Sequence, residues 1–265
     1  MKYGMGNYPV HPVEDEARRI KEFGFDYLEL NTDAPYTDAE SLSAQKEVLL
    51  GTLRTHNLEL PVIHLPTFVF MAHLEAPIRR ASVEVTLAAL RLAEDLGVRK
   101  AVLHPAYFTG LGKTIEDMSR RLAEESLDAI VSEAARRGVT ICLENMFPQT
   151  GYLVEAAEFE PALRKYRDLM LTLDIGHANI DAGKNRSFAF IDRFADRIGH
   201  VHVSDNNGRR DEHLPWGKGN APLARIFKAL KAAGYEGTMT LEVFTENKYE
   251  LRTSLRKARE SWASS

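Results

Sequence analysis

One cysteine, Cys142, stands among 265 residues, so no internal disulfide can form and a reducing compartment is expected. Long hydrophobic runs are missing too. The N-terminal stretch MKYGMGNYPVHPVEDEARR holds no apolar core of signal-peptide length, and no later run approaches membrane-spanning length. A cytoplasmic protein without a membrane partner is the expectation. Nor is there an excess of positive charge: 34 Lys and Arg face 38 Asp and Glu, for a net charge of −4. With a pI near 6.2, no global field draws the chain to polyanions, which disfavours nucleic acid as a partner although a local patch can suffice. Low-complexity segments and obvious linkers are absent as well. The 44% apolar and 27% charged content excludes a disordered or fibrous chain. Finally, no glycine-rich phosphate loop follows the first strand, which argues against an open doubly wound sheet. GLGKT at Gly110 to Thr114 has Tyr107 where a phosphate loop needs an upstream glycine. Thr114 is read instead as a helix N-cap with Asp117 as its capping-box partner.

What is present is a repeating strand and helix pattern. Strands are expected at Lys2 to Tyr8, Tyr27 to Asn31, Leu60 to Leu65, Lys100 to His104, Val139 to Glu144, Leu169 to Asp174, Gly199 to Ser204 and Thr238 to Val243. Helical periodicity fills the intervals: Pro12 to Phe23, Ala39 to His56, Ile78 to Leu96, Thr114 to Arg137, Phe159 to Tyr166, Phe188 to Asp196, Ala221 to Ala233 and Asn247 to Trp262. Eight strands alternating with helices predict one parallel sheet closed into a (β/α)8 barrel, a single domain over residues 1–265. Its site is expected at the C-terminal ends of the strands, where barrel enzymes place their chemistry.

The ionisable residues follow that geometry. His64 lies near the end of strand three, His104 at the end of four, Glu144 of five and Asp174 of six, with His202 late in seven and Glu242 late in eight. Each alone has an ordinary explanation as a hydrogen-bonded buried side chain. Six in register at one rim do not, because carboxylates buried near one another repel and lose hydration unless protons or a cation neutralise them. His177, three residues past Asp174, can reach the same rim from the loop after strand six. The segment RRDEHLPWGKG brings Asp211 and His213 from the loop after strand seven. Cys142 and His200 sit one layer deeper than Glu144 and His202, which suits a buried thiol and a supporting imidazole. His11, His56 and His73 show no partner pattern.

HVHVSDN, DEHLPWGKGN, LDIGH, LEN at Leu143 to Asn145 and the late LEV together resemble the xylose isomerase-like barrel superfamily, which contains sugar and sugar-phosphate isomerases and epimerases and also endonuclease IV. The resemblance spans nearly the whole chain. For the epimerase-like members it implies one divalent ion, Mn2+ or Zn2+, held by Glu144, Asp174, His202 and Glu242. The same two glutamates would act as the catalytic acid/base pair, working through a metal-stabilised enediolate of a small sugar or sugar phosphate. His64, His104, His177 and Arg209 would touch substrate. Endonuclease IV instead implies three zinc ions and cleavage beside abasic sites in DNA. Counterparts of all nine of its ligands are present: the four above with His64, His104, His177, Asp211 and His213. Against it, LDIGH stands where endonuclease IV has DTCH, and His104-Pro105 runs into AYFTG. The loops meant to grip a duplex carry Phe68, Phe70, Met71, Tyr107 and Phe108, which suit a small-molecule pocket or a homo-oligomer contact better. A non-catalytic barrel that binds a ligand is the third reading.

Overall fold

A computed structural model describes residues 1–265. Eight strands form a closed barrel in sequence order: β1 (Lys2–Gly6), β2 (Tyr27–Asn31), β3 (Glu59–His64), β4 (Lys100–Leu103), β5 (Thr140–Glu144), β6 (Met170–Asp174), β7 (Ile198–Val203) and β8 (Thr238–Leu241). Parallel pairing of β1 with β8 completes the cylinder. Nine helices surround it: α1 (Val13–Glu22), α2 (Ala39–Ala44), α3 (Lys46–His56), α4 (Ala76–Asp95), α5 (Glu116–Arg136), α6 (Glu160–Lys165), α7 (Ser187–Phe194), α8 (Leu223–Ala232) and α9 (Lys248–Ser264). The strands are short and buried on both faces, which is why they read as near-continuous apolar runs.

Two layers of packing divide the interior. Between sheet and helices lies one core of 59 buried hydrophobic residues. Inside the barrel, Tyr27, Val62 and Val102 form a small separate cluster. The Tyr27 ring fills the space beside Gly4, where a Cβ would sit 1.9 Å from its Cε2 atom; glycine is needed there so that the ring can lie across the barrel. Toward the C-terminal rim the filling turns polar. Register places Glu144 beside Thr172, Asp174 beside His202 and His202 beside Thr240, so inward-facing residues of adjacent strands meet at one level.

Three local expectations are corrected. The helix expected over 39–56 is two helices, broken at Gln45 with φ −110° and ψ 16°. Its first half is rich in residues that hydrogen-bond locally: Asp38 caps Ser41 N at 3.0 Å and the Ser43 hydroxyl bonds back to Ala39 O at 2.6 Å. Thr114 is not a helix N-cap. It ends a 3-10 turn over Gly110–Lys113, and α5 starts after Ile115 without a side-chain cap. The capping box lies elsewhere, where Glu155 and Glu158 bond reciprocally ahead of α6.

Candidate metal centre

The strand ends place the acids and imidazoles within one cluster. Ligand atoms of Glu144, Asp174, His202 and Glu242 all lie within 4.8 Å of one another. His202 Nδ1 is the hub, 3.2 Å from Glu144 Oε1, 3.8 Å from Asp174 Oδ2 and 3.4 Å from Glu242 Oε1. Two neighbouring groups flank it. His64 and His104 direct their Nε2 atoms to Glu144 Oε2 at 3.6 and 3.2 Å. His177 and His213 direct theirs to Asp211 Oδ2 at 3.3 and 2.9 Å.

Each imidazole is oriented through its other nitrogen, the arrangement that fixes a ligating histidine's tautomer. His64 Nδ1 donates to Leu65 O at 2.8 Å, His177 Nδ1 to Asn145 O at 3.0 Å and His213 Nδ1 to Glu242 O at 3.0 Å. Tyr107 meets His104 Nδ1 at 2.5 Å. His202 is turned the other way. Its Nε2 donates to Glu29 Oε1 at 3.1 Å, which leaves Nδ1, the nitrogen that would meet an ion, facing the acids.

Glu29, on β2, escaped the sequence reading. It is 1% exposed, and besides His202 it accepts from His200 Nε2 at 2.9 Å and from the Thr240 hydroxyl. Burial alone would raise its pKa, but His200 and His202 hold it well below the usual carboxylate range. His200, pushed down to about 4 chiefly by burial, is neutral. It therefore donates from Nε2 and accepts at Nδ1 from the Thr238 hydroxyl at 2.7 Å. The signal was available: Glu29 is the one charged residue in the otherwise hydrophobic run Tyr27 to Leu30, all of which is buried.

The carboxylates of the cluster are driven apart in proton affinity. Burial pushes Glu242 up to about 7 despite the nearby His202 and His213. Burial would raise Glu144 as well, but His202 and His104 outweigh it and hold that carboxyl well below its ordinary value. Burial opposes protonation of His64 and His213, yet Glu144 and Asp211 respectively raise them to about 9.

The donor set fits a divalent cation. Glu144 Oε2, Asp174 Oδ2 and Asp211 Oδ1 are buried without a hydrogen-bond partner, an expensive state for carboxylate oxygens unless something else meets them. Mixed imidazole and carboxylate donors suit zinc or manganese over calcium.

Above the cluster opens a cavity of about 630 Å³. His64, His104, His177, Asp211, His213 and Glu242 reach it, while Glu144, Asp174 and His202 lie buried beneath. Arg209 is not brought to this place. It stands exposed with Arg210 in the loop after β7 and does not line the cavity. Asn31 and Asp33 do line it, and the sequence reading singled out neither. Cys142 is fully buried, its thiol pushed up to about 12 chiefly by burial, so it takes no part. No helix is long and apolar enough to cross a membrane.

Comparison with known proteins agrees with the barrel fold. A family model described as xylose isomerase-like TIM barrel matches residues 17–264. The uncharacterised protein MJ1311 of Methanocaldococcus jannaschii is 29% identical over 248 residues, covering 91% of this chain and 83% of its own. L-ribulose-5-phosphate 3-epimerase UlaE of Escherichia coli strain SE11 is 25% identical over 254 residues, covering 93% and 87%. Among solved structures, a D-tagatose 3-epimerase-like protein superposes with a TM-score of 0.85 at 26% identity, covering 100% of this chain and 98% of the other.

Proposed function

The chain belongs to the xylose isomerase-like TIM barrel family, and on that premise we propose that it is a divalent-metal-dependent sugar or sugar-phosphate epimerase or isomerase. The observation that carries the proposal is the convergence of Glu144, Asp174, His202 and Glu242 within 4.8 Å beneath an open cavity. These four residues would hold the ion. When bound, it would polarise a carbonyl and the neighbouring hydroxyl, acidifying the C–H between them and stabilising the charge that develops on their oxygens.

The chain's own groups then move the proton. Two buried carboxylates with opposed proton affinities form the pattern of an acid/base pair. Glu144, held ionised, accepts the proton from carbon, and the electron pair of the broken C–H bond stays on the substrate as an enediolate. Glu242 returns a proton to the opposite face, inverting the centre. His177 Nε2 faces the cavity beside Asp211 and would hold a substrate oxygen. Exchange of substrate hydrogen with solvent deuterium tests the pair: Glu144→Gln and Glu242→Gln should each abolish it. Native exchange rates in both variants would remove the assignment.

A second reading rests on the two flanking groups. With His64, His104 and Glu144 on one side and His177, Asp211 and His213 on the other, the site has room for further ions, as a zinc phosphodiesterase of the endonuclease IV kind would require. About three zinc ions per chain with nicking of an abasic duplex would favour it over the epimerase; about one ion without nicking would exclude it.

A further inference from the structure

The cavity above the cluster is lined by the acids and imidazoles already described, by Asn31, Asp33, Thr67 and Thr109, and by a set of aromatic rings. The rings are Tyr8, Phe68, Phe70, Tyr107, Phe147 and Phe244. Three of these rings are left open to solvent at the rim, Phe68 at 83%, Phe244 at 57% and Phe70 at 44% exposure. Among the 18 residues that line the cavity there is no Lys and no Arg, whereas Asp33, Asp211 and Glu242 contribute carboxylates. Arg19 and Lys248 line a separate cavity on the far side of Tyr8 and Phe244, and there Arg19 is already paired with Glu16.

Phosphate sites in barrels of this kind are commonly built by the loops after the seventh and eighth strands together with a helix N-terminus. Here both places are filled by the chain's own side chains. After β7, Asp205 Oδ1 accepts from Asn206 N at 2.9 Å and from Ala221 N at 3.0 Å, and its Oδ2 accepts from Gly217 N at 2.8 Å. That carboxylate occupies the amides leading into α8. After β8, the Asn247 side chain caps α9 by accepting from Tyr249 N at 3.0 Å.

We infer that the mouth takes an uncharged keto sugar carrying a second ring, a disaccharide or glycoside, and not a sugar phosphate. The reacting sugar occupies the polar floor, so the choice of substrate rests on the epimerase reading, but the wall that makes the choice lies above the metal cluster. A cavity of about 630 Å³ falls in the range of about 300–1,000 Å³ that holds drug-sized ligands, more than one sugar requires. The apolar C–H face of a second ring lies flat on an aromatic side chain and shields it from water. A phosphate in the same position would meet aromatic faces and find neither Lys nor Arg to neutralise it.

Three ketoses that differ only at one oxygen test this on the full-length, Mn2+-loaded protein: D-fructose, its 6-phosphate, and isomaltulose, which bears a glucosyl ring on the same oxygen. Titration calorimetry reads binding, and deuterium wash-in by NMR reads chemistry. Isomaltulose should bind about tenfold tighter than fructose, and fructose 6-phosphate no tighter than fructose. Phe68→Ala, at an exposed ring whose removal leaves the core intact, should erase the isomaltulose advantage and leave fructose binding unchanged. Equal binding of isomaltulose and fructose, or tighter binding of the phosphate, would overturn the inference. Absence of wash-in with all three sugars would count against the epimerase reading instead, and the calorimetric order would still decide the substrate class.

Discussion

Replacing Glu29 by glutamine removes one negative charge from beneath the metal cluster while keeping the shape of the side chain. In the native network this carboxylate accepts from His202 Nε2 at 3.1 Å, from His200 Nε2 at 2.9 Å and from the Thr240 hydroxyl. A glutamine oxygen can still accept from His202. Its NH2 group must then donate to His200, which satisfies the bond by moving its proton to Nδ1, toward the Thr238 hydroxyl now 2.7 Å away. The fold should therefore survive, whereas Glu29→Ala would leave two buried imidazoles unsupported. What the amide cannot supply is the charge that makes His202 a strong donor to a cation. Outer-sphere partners of this type are worth about 10- to 100-fold in metal affinity, or about 1.4–2.8 kcal/mol at 1.4 kcal/mol per tenfold. Competition against a fluorescent chelator gives the dissociation constant, and the melting temperature of the metal-free protein checks the fold. A Glu29→Gln variant that melts like the native protein and binds Mn2+ or Zn2+ equally tightly would refute the idea that Glu29 orients and charges His202.

Other perturbations follow from the same contacts. A Gly4→Ala side chain would collide with the buried Tyr27 ring at 1.9 Å and disturb the 2.9 Å bond from Tyr27 to Thr240. We expect a loss of about 1–3 kcal/mol, seen as a lowered midpoint in urea; an unchanged midpoint would show that the ring is free to move. In the metal-free protein, His64 and His213 are raised from 6.5 to about 9, so their stabilisation is complete below pH 6.5 and lost as pH rises toward 9. Glu144, depressed from 4.5, contributes above that value and fails as pH falls below it. The metal-free protein should thus melt highest between about pH 4.5 and 6.5 and progressively lower toward pH 9, and a flat or rising profile across pH 6.5–9 would contradict the pairing. Metal must displace the protons on two of its own ligands: Glu242, raised to about 7 by burial, and His202, where burial opposes protonation but Glu242 and Glu144 raise it well above the usual imidazole value. Its affinity should therefore rise as pH rises through 7. A chelator should abolish substrate exchange and either Mn2+ or Zn2+ restore it; persistent exchange in the chelated protein would remove the need for an ion.

The barrel was legible because each strand is a short apolar run set off by turn residues, and because glycines such as Gly24, Gly97, Gly138 and Gly234 stop the helices at positive φ. The candidate cluster was legible for a related reason. Parallel strands of similar length bring their ends to one level, so His64, His104, Glu144 and Asp174 could be placed together from chain position alone. Glu29 was not, since its partners His202 and His200 lie 173 and 171 residues away and nothing local ties them. The loops resisted for the same reason. Arg209 follows β7 in sequence yet is exposed, because the turn at Gly208, φ 75°, carries it outward, and only Asp211 and His213 come back over the mouth. The misplaced cap at Thr114 reflects competition between short 3-10 turns and the helix start, which a four-residue motif does not resolve.

Metal content per chain, measured by elemental analysis after loading with Mn2+ or Zn2+ and exhaustive dialysis, bears most directly on the proposed centre. The native protein should retain a divalent ion at about one per chain, and Asp174→Asn or His202→Ala should lose it while remaining folded. A native protein that keeps no metal, or variants that keep as much as the native, would contradict the convergence of these four residues on a common cation.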